Sequence, residues 1–195
     1  MSKNKEKEIR SIGTIQLRSD DPTTVDSRIV EGYAVVFDTD SVDMGFIEQI
    51  QKGAITDETI KRSDVFATLN HDATRGILAR SLYGNGTLKL ELDDKGLKYS
   101  FEAPHTALGD ETLEMIRRGD ITGSSFAFTV EEDEWFSEGD NYRRFVKTID
   151  YLYDISPVFQ AAYQATSATT RKLDDMKALI NKLMSYENDF NEVVE

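Results

Sequence analysis

The stretch Ile77–Phe101, ILARSLYGNGTLKLELDDKGLKYSF, decides the fold. It holds three strand-prone runs, Ile77–Tyr83, Thr87–Leu92 and Leu97–Phe101. Gly84-Asn85-Gly86 separates the first two, and Asp93-Asp94-Lys95-Gly96 the second pair. Gly and Asn accept the positive φ angles of tight turns, so consecutive antiparallel strands are expected. Working outward, Glu8–Leu17 alternates polar and apolar residues, with Ile9, Ile12, Ile15 and Leu17 apolar. Arg28–Phe37 carries Ile29, Val30, Tyr33, Val35, Val36 and Phe37, and Val65–Leu69 is short and apolar. Ser124–Val130 and Tyr142–Tyr153 bring the total to about eight strands. Ile55–Arg62 and Leu108–Arg118 read as helices, the second stopped by Gly119. The expected fold is α+β: a mainly antiparallel, closed or nearly closed β-barrel with flanking helices, since closure removes exposed strand edges.

A chain of 195 residues supports one domain with a substantial core plus an appendage. The net charge of -13 argues against a general nucleic-acid binder, which needs a positive footprint. No apolar run reaches the ~18 residues that span a bilayer, so no membrane partner is expected. Residues 1–10 mix Lys and Glu without the apolar stretch of a signal peptide. With no cysteine, the chain has no disulfide, thiol nucleophile or thiolate metal site. Its two histidines are not spaced as a ligand pair, and no Lys-Ser or Lys-Thr follows Gly84-Asn85-Gly86 to make a phosphate loop. Neither a metal nor a cofactor is expected.

The C-terminal end differs in character. Leu173, Met176, Ile180 and Leu183 recur at helical spacing, with Leu179 and Met184 beside them. Ser167-Ala168-Thr169-Thr170 precedes them as a linker, and Thr170 is suited to cap the helix. The expected division is a barrel domain over residues 1–166, then a linker and amphipathic helix over 167–195. The helix either packs on its own barrel or binds a partner helix.

With so few candidates, nucleophilic chemistry narrows quickly. Ser125 lies in Gly119-Asp120-Ile121-Thr122-Gly123-Ser124-Ser125-Phe126-Ala127-Phe128, at a helix-to-strand junction. Period-two alternation puts Ser124, Phe126 and Phe128 on one face and Ser125 and Ala127 on the other. If the phenylalanines face the core, Ser125 is the exposed hydroxyl and Ser124 the rival. A serine needs a base to take its proton. His71, in Leu69-Asn70-His71-Asp72, ends a strand and can serve. For a third group that orients the imidazole, Asp154 sits among apolar neighbours in Leu152-Tyr153-Asp154-Ile155 and needs a partner. It is favoured over Asp120 and Glu111, which lie at solvated helix ends, and His105 is the other possibility.

Taken in order, these segments resemble the prohead (capsid maturation) protease family of tailed bacteriophages. The matching segments are Gly32-Tyr33-Ala34-Val35-Val36-Phe37; Phe46-Ile47-Glu48 leading to Gly53-Ala54-Ile55; Leu69-Asn70-His71-Asp72; Gly96-Leu97; Gly119 to Phe128; and Asp154-Ile155-Ser156-Pro157-Val158 followed by Ala161-Ala162-Tyr163. The resemblance covers about residues 9–171. That family is similar in fold and role to the herpesvirus capsid assembly proteases. The resemblance implies a serine endopeptidase working inside the procapsid, in the host cytoplasm. Its implied substrates are the scaffold protein, or the scaffolding segment of the major capsid protein, and itself. Self-association is a further possibility that the resemblance raises. His71 matches the family histidine and Ser125 the family serine. Asp154 stands where the family often has Glu, and Ala161 where Pro is common. The competing reading is an inactive structural or scaffolding relative. An esterase is disfavoured, because no Gly-x-Ser-x-Gly elbow surrounds Ser124 and Ser125.

If the C-terminal helix delivers the protein to the scaffold or lattice, deleting residues 171–195 leaves peptide cleavage intact and abolishes packaging. Counting the protein in purified procapsids checks this, and unchanged packaging refutes it.

Overall fold

A computed structural model describes residues 5–18, 27–139, 141–159 and 177–178. By contacts the chain divides into two units, residues 1–164 and 165–195. In the second, residues 177 and 178 are helical; the rest of the expected amphipathic helix lies outside the described residues.

The first unit is a ten-stranded sheet curled into a nearly closed barrel, with two helices. The strands are β1 (Glu8–Leu17), β2 (Ile29–Val36), β3 (Ile47–Ile50), β4 (Asp64–Ala67), β5 (Ala79–Leu82), β6 (Asn85–Gly86), β7 (Lys89–Leu92), β8 (Gly96–Glu102), β9 (Gly123–Glu138) and β10 (Asn141–Val158). Their order is β6-β5-β4-β10-β9-β1-β2-β8-β7, with β3 pairing β10 outside that path. The two ends of the order, β6 and β7, are separated in the chain by Thr87 and Leu88. The Leu88 N–H also donates to the Arg80 carbonyl on β5 at 3.1 Å. The chain thus draws the sheet's ends together, as the expectation of a nearly closed barrel requires.

The Ile77–Phe101 stretch behaves mostly as expected. Asp93 Oδ1 accepts from the Lys95 and Gly96 amides at 2.8 and 2.9 Å and closes the β7–β8 hairpin. Gly84-Asn85-Gly86 is not wholly turn, however. Tyr83 and Gly84, both at positive φ, make the bend, and Asn85–Gly86 pair back onto Ser81–Leu82. Helix α1 (Asp57–Arg62) starts at Thr56, whose hydroxyl exchanges bonds with Thr59 in a capping box. Helix α2 (Ala107–Arg118) is capped by Thr106 and ends at Gly119, whose φ of 78° only glycine adopts cheaply. Leu113 is buried, and Leu108, Met115 and Ile116 pack against the same core as Phe126 and Phe128.

Three strands exceed expectation. β10 runs to Val158, past the expected end at Tyr153, so Asp154 lies within the strand rather than at its end. β9 runs on to Glu138 through the acidic run Glu131-Glu132-Asp133-Glu134, which has little strand propensity of its own. Basic residues of β10 neutralise it: Arg144 reaches Asp133 at 2.7 Å, and Lys147 reaches Glu134 at 2.9 Å. β3, unread in the sequence, lies parallel to Arg143–Val146 of β10.

β1 has the expected bounds, and Ile15 and Leu17 pack on the core as expected, but before the register shift between Arg10 and Gly13 the facing is reversed. Ile9 is 37% exposed, whereas Glu8 and Arg10 are buried. Their strand partners on β9 are Phe128 and Phe126, so they share the core face with two stacked rings. Charge inside a barrel costs several kcal/mol per ion unless it is paired. Here Arg10 binds Glu48 at 2.6 Å and Glu8 at 2.7 Å. Arg144 binds Glu8 at 2.6 Å, Glu48 at 2.7 Å and Asp133 at 2.7 Å. Burial alone would lower the Arg144 pKa, but the bond from Glu8 and the charges of Glu48, Glu8 and Asp133 raise it on balance. The network joins β1, β3, β9 and β10 at one point.

Arg144→Met removes one cation and leaves Glu8 and Glu48 sharing the other. The expected loss is about 3–5 kcal/mol of unfolding free energy, read from urea denaturation. A loss below about 1 kcal/mol would show that water reaches the cluster.

Candidate active site

Three neighbouring strands, β4, β10 and β9, bring the sequence-predicted residues together. β4 stops at Ala67, and Thr68 and Leu69 continue into the core. Asn70 and His71 then take left-handed φ angles of 55° and 61°. Two such residues in succession cost on the order of 1–2 kcal/mol each for non-glycine side chains. The turn is held by the Asn70 N–H donating to the Pro157 carbonyl at 2.9 Å, and the Asp72 N–H to Leu69 at 3.1 Å. It directs the His71 ring onto β10 and β9. Asp72 takes no part, because its carboxylate caps the short 3-10 turn Ala73–Arg75 through Thr74. Those bonds from the Thr74 hydroxyl and amide hold its pKa below the usual carboxylate range.

On β9, Ser125 lies opposite Ser156 of β10, and Ala127 opposite Asp154. The register shifts by one residue between Leu152 and Asp154, and on the other side of β10 Asp154 pairs with Phe66 of β4. The result is a chain of three groups. His71 Nδ1 lies 2.6 Å from Asp154 Oδ1, and His71 Nε2 lies 2.6 Å from Ser125 Oγ. The partners assign the tautomer: Nδ1–H donates to the carboxylate, and Nε2 is left to accept.

Asp154 is 7% exposed, and two hydroxyls bond its carboxylate besides the histidine. Thr68 Oγ1 donates to Oδ2 at 2.9 Å, and Ser156 Oγ to Oδ1 at 2.5 Å. Sequence reasoning passed over both hydroxyls. Ser156 was legible in principle, because it sits two residues from Asp154 and so shares its face. Thr68 was not, since its approach depends on how β4 lies beside β10.

The rival residues are occupied elsewhere. The Ser124 hydroxyl lies on the core face, 2.6 Å from Tyr99 Oη, and donates to the Thr14 carbonyl at 3.1 Å. Burial pushes the Tyr99 phenol well above its ordinary pKa. His105 lines a separate cleft of about 570 Å³ with Arg18, Leu78, Lys89 and Phe101. Asp120 pairs with Arg118, and Glu111 with Arg75.

One expectation fails. Ser125 faces away from Phe126 and Phe128 but has 0% exposure. Its hydroxyl lies 2.9 Å from the Arg10 carbonyl on β1, as well as beside His71. The single hydroxyl proton therefore has two acceptors, and the serine is closed off from solvent. Alternation predicts which side a residue takes, not whether a neighbouring strand or loop covers that side.

No curated protein matches the chain. Among solved structures, the bacteriophage T4 capsid assembly protease, gp21, is similar in fold. Its TM-score is 0.54 at 12% identity, covering 81% of this chain and 99% of that one. Residues 13–179 match the family model described as caudovirus prohead serine protease. With most of its length matched, the chain belongs to the caudovirus prohead serine protease family.

Proposed function

We propose that this chain is a serine endopeptidase of capsid maturation in which Ser125 is the nucleophile, His71 the general base and Asp154 the group that orients it. One observation carries the reading: a single imidazole spans a buried carboxylate and a serine hydroxyl at 2.6 Å on each side. As Ser125 Oγ attacks a peptide carbonyl carbon, its proton passes to His71 Nε2. The imidazolium is stabilised by Asp154, which Thr68 and Ser156 hold in place. Nε2 then protonates the leaving amine, and water hydrolyses the acyl-enzyme by the same relay. The proposed substrates are the scaffold protein or the scaffolding segment of the major capsid protein, inside the procapsid in the host cytoplasm, and the protease itself. Residues 1–166 would form the protease domain, and 167–195 the linker and the helix that delivers it.

The buried Ser125 favours a second reading, a structural relative that never cleaves. Co-expression with the matching capsid and scaffold proteins separates the two. Wild type is expected to give cleaved products by mass measurement, and Ser125→Ala and His71→Ala uncleaved ones. Identical processing in all three discards the protease.

Asp154→Asn should keep the fold but lower kcat by about 10⁴-fold, the scale of such a change in other serine triads. A loss under about tenfold would remove Asp154 from the orienting role.

A further inference from the structure

The outer face that carries Ser125 and His71 also carries a cleft that peptide hydrolysis leaves unexplained. It encloses about 470 Å³ beside the imidazole, on the Asp154 side. Its aromatic walls are Phe66, Tyr151 and Tyr153, and its rim carries Asp64 and Asp150. Tyr151 and Tyr153 pack at 4.8 Å between ring centres, giving a firm double wall. Aromatic faces beside carboxylates form a recognised receptor for cations.

Cations of this chain already use that receptor at two places. On one wall, the Arg80 guanidinium lies 5.0 Å from the Phe66 ring centre and grips Asp64 through two bonds of 2.7 and 2.6 Å. On the other, the Lys7 ammonium lies 5.3 Å from the Tyr153 ring centre, and Lys5 pairs with Asp150 at 3.0 Å. The two occupants differ in kind. Arg80 is part of strand β5 and exposed on its outer side. Lys5 and Lys7 belong to the segment before β1, which makes no strand. If that segment withdraws, Asp64, Asp150 and Asp154 remain against Arg80, which is committed to Asp64, and Arg62, which is committed to the Ile149 and Asp150 carbonyls, so the Asp150 carboxylate loses its Lys5 partner. His71 lines this cleft, and its Nε2 meets Ser125 on the other side of the ring.

Resting on the protease reading, we propose that the cleft beside His71 is the substrate subsite for a lysine or arginine side chain, and that Lys5 and Lys7, at its edge in the resting protein, compete in cis for its carboxylate and ring. Asp150 and Tyr153 are then the specificity-determining residues. The N-terminal lysines are a competitor that a basic substrate displaces.

The test reads binding, not cleavage. Full-length Ser125→Ala protein is titrated by NMR with capped pentapeptides carrying a central Lys, Leu or Glu between alanines. The Lys peptide is expected to shift the Tyr151 and Tyr153 ring signals and to bind about tenfold more tightly than the other two. Adding Lys5→Ser and Lys7→Ser should tighten the Lys peptide several-fold. Asp150→Asn and Tyr153→Leu, each checked by its spectrum for an intact fold, should remove the preference. Equal affinities, no binding by any of the three, or a preference that survives both substitutions overturns the subsite. Unchanged affinity in the double lysine variant overturns the competition in cis. Failure of the protease reading would show separately, as unprocessed capsid proteins with wild type present.

Discussion

The antiparallel pairing of β9 with β10 is the constraint on which the rest depends. Its register decides that Ser125 faces Ser156 and that Asp154 falls beside Ala127. β10 also receives β4 and β3 in parallel on its other side. One strand therefore places a carboxylate, recruits the strand that leads to His71, and anchors the buried arginine Arg144. A slip of one residue would turn every side chain of β10 to the opposite face and undo all three at once. The ion network guards against that slip. Arg144 meets Glu8, Glu48 and Asp133 only in this register, and each missed partner would be a charge left in the core.

The arrangement around Asp154 shows how a short side chain holds its place. The irregularity between Leu152 and Asp154, with the pairing of Asp154 to Phe66, belongs to that local geometry. Two hydroxyls then fix the carboxylate from the sides the histidine leaves open. With two hydroxyl donors besides the histidine, the carboxylate keeps its place when the ring changes charge.

Much of this was legible in the chain. The bounds of β1, the capped helices and the candidate residues His71, Ser125 and Asp154 follow from alternation, turn chemistry and scarcity. What escaped depends on contacts between distant strands. β3 is too short to announce itself, and its Glu48 reads as surface until Arg10 and Arg144 surround it. Glu8 and Arg10 look like the wet side of β1, yet they are the dry side, because hydropathy counts each charge alone and cannot see a partner 136 residues away. The acidic end of β9 misleads for the same reason. Ser125 was assigned the correct face, but its burial comes from the His71 turn and β1, which no local pattern encodes.

The left-handed pair Asn70 and His71 is tied to β10 through the carbonyl of Pro157, one residue before that strand ends. A segment bent against its own preference relaxes when its tether lengthens. Traction on the chain beyond Val158 would thus be transmitted through one amide to the imidazole, and its aim at the serine would follow. The imidazole hangs on a lever whose handle is the end of β10.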